Sequence, residues 1–326
     1  MSVRKIALSI PIFLFPMLFV ACGGYNSPST PPPTPSPTPT PTAAARFAVA
    51  ANGISNSIST FAIDPQTGQL TPKDTLPTGG MESRVIVVEP SGHFAFVANR
   101  GSNDISIFSI DTSTGKLTMQ GSPVPVPSGN APGFIVVGPA GNLLYAVNQQ
   151  GNSISGFSIN PNTGALTPLT GTVTTDAAPV ALTFHPSGQF AYVANFNSSD
   201  ITVYRVDSSG ALGLLGAVPI HTNPTSIAFH PSGKFAYISN LATNDVAAFS
   251  VDLASGALTS IAPAVASGDG PTSVTVDAQG RFAYVTNAIG ATVSVFAIDA
   301  ATGALTRTST VPAGTGAFAL TLDASG

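Results

Sequence analysis

A hexapeptide of the form Phe-Ala-Tyr-Val-Thr-Asn returns six times after residue 45, and its spacing limits what the chain can become. The copies are residues 47–52, 94–99, 143–148, 190–195, 235–240 and 282–287, so the closing Asn recurs at steps of 47, 49, 47, 45 and 47 residues. One such unit cannot bury its apolar face alone; neighbouring copies must cover each other in an array or a ring.

Each unit reads as four short strands. The copy that starts at Val180 shows them as 180–185, 190–195, 201–206 and a fourth segment from Ala211 onward, rich in Val, Ile, Phe and Tyr and bounded by turn residues. The first and second strands are apolar throughout, as Val85-Ile-Val-Val88 illustrates, which predicts cover on both faces. The fourth carries Pro and Thr, as in Gly121-Ser-Pro-Val-Pro-Val-Pro127, and Pro belongs at a sheet edge where its missing N–H breaks no ladder. Turns ending in Gly join the first strand to the second (Pro90-Ser-Gly92, Pro186-Ser-Gly188), and others beginning with Asp or Asn join the third to the fourth (Asp111-Thr-Ser-Thr-Gly115, Asn160-Pro-Asn-Thr-Gly164). One carboxylate per loop is too few for calcium, which takes six or more oxygens.

Buried strands inside and Pro-guarded strands outside describe an all-β fold, a β-propeller of four-stranded blades. The count gives six. The chain enters at Arg46 in a second strand and ends in the turn after a first strand, so the closing blade is expected to take three strands from the N-terminal end and its innermost strand from the C-terminal end. Residues 46–326 form this single domain.

Residues 1–21 read as an export signal: Arg4 and Lys5, then an apolar run interrupted by Pro11 and Pro16. The stretch Leu18-Phe19-Val20-Ala21-Cys22 resembles a bacterial lipobox and implies lipidation of Cys22, the only Cys in the chain. Residues 22–45 form a Pro/Thr-rich linker, extended and without apolar side chains to bury beyond Cys22. An exported lipoprotein anchored to a membrane at the cell envelope, at the outer membrane or cell surface, is the expectation. Without residues 1–21 the chain keeps 9 of its 11 Lys and Arg against 15 Asp and Glu, a balance that excludes nucleic acid as a partner.

The repeated Phe-Ala-Tyr-Val-Thr-Asn and Asp-x-x-Thr-Gly-x-Leu motifs resemble those of YVTN-repeat β-propellers, the superfamily that holds the 6-phosphogluconolactonase-like lactonases. The resemblance spans residues 46–326 and implies seven blades, one more than the count. It also implies Gly-Pro-Arg-His leading into the first strand and Asn-Glu after the second. Of the six Arg positions only Arg84 matches, against Gly133, Val180, Thr225, Thr272 and Phe318; no Glu follows any second-strand Asn. That deficit favours a binding or interaction module for an unidentified small molecule or envelope protein over an enzyme. A lactonase and a structural surface-layer component are the alternatives. The catalytic candidates are Glu82 and Arg84 and the binding candidates Arg84, Arg100 and His221, the polar residues that least follow the repeat. No metal ligand set and no cofactor motif is expected; His185 and His230, repeated before Pro-Ser-Gly turns, are read as turn structure.

Overall fold

The computed structural model describes residues 46–64, 67–127, 131–220, 223–320 and 322. The signal and linker, Cys22 and His221 lie outside the described residues. Every regular element among those described is a β-strand, and the strands form six antiparallel sheets in chain order. The unit read as 180–185, 190–195, 201–206 and 211 onward is observed as Pro179–Phe184, Phe190–Asn195, Asp200–Val206 and Leu212–Pro219. All neighbours pair as adjacent hairpins.

The second strands are the buried heart of each sheet. Every residue of Phe94–Asn99, Leu143–Asn148, Phe190–Asn195 and Phe235–Asn240 is buried. The inner strands depart from the expectation of full cover: Val87 and Val88 stay half-buried, because an innermost strand has no further strand beside it. The outer strands are exposed where continuous, as in Leu70–Pro77. In the second, third and fifth sheets the outer strand splits into two short pieces, the first split falling at Gly121-Ser-Pro123.

Sheets stack through apolar clusters. Val49, Ala51 and Ile58 of the first sheet meet Ala95, Val97 and Phe108 of the second; Phe96, Ile105 and Ile107 of the second meet Ile135, Leu144 and Phe157 of the third. Like clusters join the third to the fourth, the fourth to the fifth and the fifth to the sixth. Burying one Phe or Leu contributes about 1.5–3 kcal/mol, so these layers dominate the stability. The third-to-fourth-strand turns fit the same stacking. Gly303 has φ +74°, and a Cβ there would come within 2.3 Å of the Phe235 ring of the preceding sheet. Only Gly satisfies both the backbone angle and the close approach.

Polar clasps cross the same junctions. Tyr145, Tyr192 and Tyr237 donate their hydroxyls to the carbonyls of Gly210, Gly256 and Gly303 in the following sheet. His185 Nδ1 accepts the Ser187 N–H, which leaves Nε2–H to donate to the Gly233 carbonyl at 2.8 Å; His230 repeats this with Gly280.

The junction of the sixth sheet with the first differs from the expected closure. Among the described residues no cluster joins them, and the first sheet has three strands. Residues 317–320 form no strand. They lie in the lane of an inner strand beside the sixth sheet: Thr272 and Thr275 donate to the carbonyls of Ala317 and Leu320, as Thr225 and Thr183 donate to those of Pro271 and Ile227. Yet they do not pair with Arg46–Asn52. The physical sign of the open junction is exposure: Phe282 and Tyr284 are half-buried where their counterparts Phe190 and Tyr192 are fully buried, Leu70 is exposed, and no atom stands within 4 Å of a Cβ built on Gly68.

Candidate functional site

One face of the molecule is built by two sets of loops, those leading into inner strands and those between second and third strands. A repeated latch joins them. The residue before each inner strand adopts positive φ: Glu82 (53°), Ala131 (59°), Ala178 (55°), Asn223 (56°) and Gly270 (69°). Its N–H donates to an Asn side chain one loop back, with Glu82 bound to Asn56 at 2.7 Å, Ala131 to Asn103, Ala178 to Asn152 and Gly270 to Asn244. Its carbonyl accepts an N–H from the loop ahead, as in Arg100 to Glu82 and Gln149 to Ala131. Beneath the latch, the buried Asn that closes each second strand donates to Ser, Thr or Asp at the head of the third strand, as Asn99 does to Asp104 and Ser106.

The second position after the latch residue is the Arg slot of the family motif. In the second, fourth, fifth and sixth sheets the pairing register shifts across this residue, so Arg84, Val180, Thr225 and Thr272 sit on bulges. A bulge frees a residue from the ladder and re-aims its side chain. Thr225 and Thr272 spend their hydroxyls on backbone carbonyls and neighbouring hydroxyls. Arg84 is the one charged residue among these positions.

Three of the predicted residues come together here. Arg100 Nη1 lies 3.2 Å from Glu82 Oε2, with side-chain exposures of 29% and 61%. Exposed pairs of this kind contribute little to stability, about 0–1 kcal/mol. Arg84 belongs to the same group: loss of solvation and the positive charge of Arg100 lower its pKa from the ordinary value, while Glu82 opposes the shift. Arg84 itself is exposed, and the carboxylate is bonded to Arg100. Arg100 also keeps its Nε–H buried without an acceptor. The open N–H belongs to a charged group beside a cavity of about 260 Å³ lined by Glu82, Arg100, Gly101, Asn103, Ala131 and Gln150. That volume falls just below the usual range of ligand sites, about 300–1,000 Å³, and has room for no more than a single sugar ring.

Asn103 and Gln150 are site residues that sequence reasoning missed. Asn103 follows the repeat, four residues beyond the second-strand Asn as Asn56, Asn152 and Asn244 do, so it carried no sign of being special. A signal was nonetheless present in that spacing, which marks the latch that holds Glu82.

The family described as a seven-bladed β-propeller lactonase matches residues 41–131, 128–226 and 216–320. Among solved structures, a protein from Bacteroides fragilis provisionally assigned as a 6-phosphogluconolactonase is 25% identical, with a TM-score of 0.76 over 86% of this chain and 85% of that one. A Bacteroides uniformis protein of the same assignment is 22% identical, with a TM-score of 0.76 over 83% of each chain. The periplasmic gluconolactonase PpgL of Pseudomonas aeruginosa is 21% identical, with a TM-score of 0.73 over 85% of this chain and 84% of that one. None of the curated proteins matches the sequence. These matches overturn the expectation of a binding or interaction module. That expectation rested on counting motif residues repeat by repeat, whereas a site in a ring needs its charged groups only once, where neighbouring loops converge. By its repeats, its six stacked sheets and the match along almost the whole of its folded part, the chain belongs to the β-propeller lactonase family.

Proposed function

We propose that the protein hydrolyses a sugar lactone at the loop face of its second and third sheets. The observation that carries this reading is the Glu82–Arg100 ion pair, with the buried Nε–H of Arg100 left without an acceptor beside a small polar cavity. Family membership supports it.

Opening a lactone requires a water to add to the ring carbonyl, a group to take the water's proton, and donors for the oxyanion. In this reading Glu82 accepts the proton as the water oxygen bonds to the carbonyl carbon. Arg100 Nε–H and Arg84 hold the oxygen that becomes negative. Collapse of the tetrahedral intermediate breaks the ring C–O bond, and the proton passes from Glu82 to the departing ring oxygen to give the hydroxy acid. Asn56 and Asn103 position the machinery through the two latches without touching the reacting atoms.

The test is lactone turnover above the spontaneous rate, for the wild type and for Glu82→Gln and Arg100→Ala. Loss of a general base reduces kcat by about 10²–10⁴ and loss of an oxyanion donor by about 10²–10³. Absence of turnover on any sugar lactone sinks the reading. Turnover that survives both substitutions moves the chemistry elsewhere.

A further inference from the structure

We infer that the site takes a neutral, unphosphorylated sugar lactone and disfavours the phosphorylated one; this rests on the lactonase reading and names its substrate class. A phosphate monoester carries about −1.5 to −2 charges at neutral pH and is held by clusters of Arg and Lys or by helix N-termini. The described residues contain no helix. Around Glu82 the loop face offers two cations, Arg84 and Arg100, and the second is already engaged with Glu82.

Carboxylates recur at the equivalent loop and strand-end positions of the other sheets on the same face. Asp104, Asp200 and Asp245 each open a third strand, where the buried Asn amides of the second strands donate to them at 2.7, 2.6 and 2.8 Å. Asp176 and Asp269 occupy loops leading into inner strands, and both are exposed. With Glu82 that makes six acidic groups against three basic ones among the described loops and strand ends of this face, the third being Arg307, which donates to the Ser267 carbonyl in the loop that carries Asp269. The other described cations are spent on the opposite turns or on outer strands. Arg205 donates to the Ala254 carbonyl in a third-to-fourth-strand turn, and Arg281 pairs with Asp277.

The remaining polar groups fit hydroxyls better than phosphate. The slot positions of the other described inner strands are neutral: Gly133, Val180, Thr225 and Thr272. The cavity is walled by the amide side chains of Asn103 and Gln150, each able to donate and accept. A polyhydroxy ring satisfies such groups, while a dianion would meet like charge, which costs several kcal/mol at an interface.

The experiment compares glucono-1,5-lactone with its 6-phosphate as substrates of the full chain. It also compares glucose with glucose 6-phosphate as non-hydrolysable ring probes, by calorimetry at low and high salt. The expected result is a kcat/KM at least about tenfold higher for the neutral lactone, a conservative expectation for uncompensated like charge. Glucose should bind more tightly than its phosphate, and the difference should shrink as salt screens the carboxylates. Asp176→Asn with Asp269→Asn should raise turnover of the phosphorylated lactone and leave that of the neutral one unchanged. Equal or better use of the phosphorylated lactone overturns the inference and leaves the lactonase reading standing. If neither lactone is turned over, the lactonase reading fails while the probes still decide: preference for glucose upholds the charge argument, and preference for the phosphate, or binding of neither, overturns it.

Discussion

Replacing Tyr192 by Phe isolates one polar clasp between sheets. The ring is fully buried and packs 4.9 Å from Phe229, a contact that Phe retains, so only the hydroxyl is lost. That hydroxyl donates at 2.7 Å to the carbonyl of Gly256, itself buried in the next sheet. A buried acceptor left without its donor costs about 1–3 kcal/mol. For a domain of this size 1 kcal/mol corresponds to about 2–4 °C in Tm, so a drop of about 2–12 °C is expected in a reversible melt. Tyr237→Phe should cost less, because its bond to Gly303 is 3.1 Å long. The second sheet supplies the reverse experiment, since Phe96 stands where the third to sixth sheets have Tyr; Phe96→Tyr should gain about 0.5–1.5 kcal/mol if the new hydroxyl reaches the following turn. The pH dependence adds a check. Burial, helped by the charge of Asp207, raises the pKa of Tyr145 to about 12, and burial raises that of Tyr192 as well. The folded state therefore holds its phenol protons more tightly than the unfolded chain. This stability is present below about pH 10 and is lost as pH climbs through the folded values, so the gap between wild type and variant should narrow in alkali. A Tyr192→Phe protein within about 0.3 kcal/mol of wild type at pH 7 would refute the argument.

Two further outcomes follow from local geometry. Gly303→Ala should destabilise by more than the roughly 1 kcal/mol usual for a Gly substitution at positive φ, because its Cβ would collide with the Phe235 ring, whereas Gly68→Ala, with the same backbone sign and open space around it, should cost only the backbone strain; differential scanning calorimetry separates them. Glu89 should contribute acid-sensitive stability. Burial alone would raise its pKa, but the Ser91 hydroxyl and the N–H groups of Ser91, His93 and Phe94 outweigh it and hold the carboxyl below its usual range. This contribution is complete above the unfolded value of about 4.3 and disappears as pH falls through the folded one, so Glu89→Gln should lose stability at pH 7 and converge with wild type at low pH.

The strands were legible because each obeys a local rule: second strands are apolar almost throughout before their closing Asn, outer strands carry Pro, and turns place Gly where φ must be positive. Glu82, Arg84 and Arg100 stood out for the opposite reason, as breaks in the repeat. What remained hidden was what these breaks meet. Asn103 and Gln150 look like ordinary loop amides until two latches bring their loops to one cavity, and the pairing of Arg100 with Glu82 joins residues that the chain separates by 18 positions.

Blade number divides the two levels most clearly. Sequence alone determined six repeats, their strand order and the family, since each depends on a pattern contained within about 47 residues. Whether the ring closes depends on the angle at which every sheet packs on the next, a quantity that no single repeat contains. Among the described residues the tertiary structure shows five packed junctions, with half-buried Phe282 and Tyr284 in the sixth sheet and exposed Leu70 in the first.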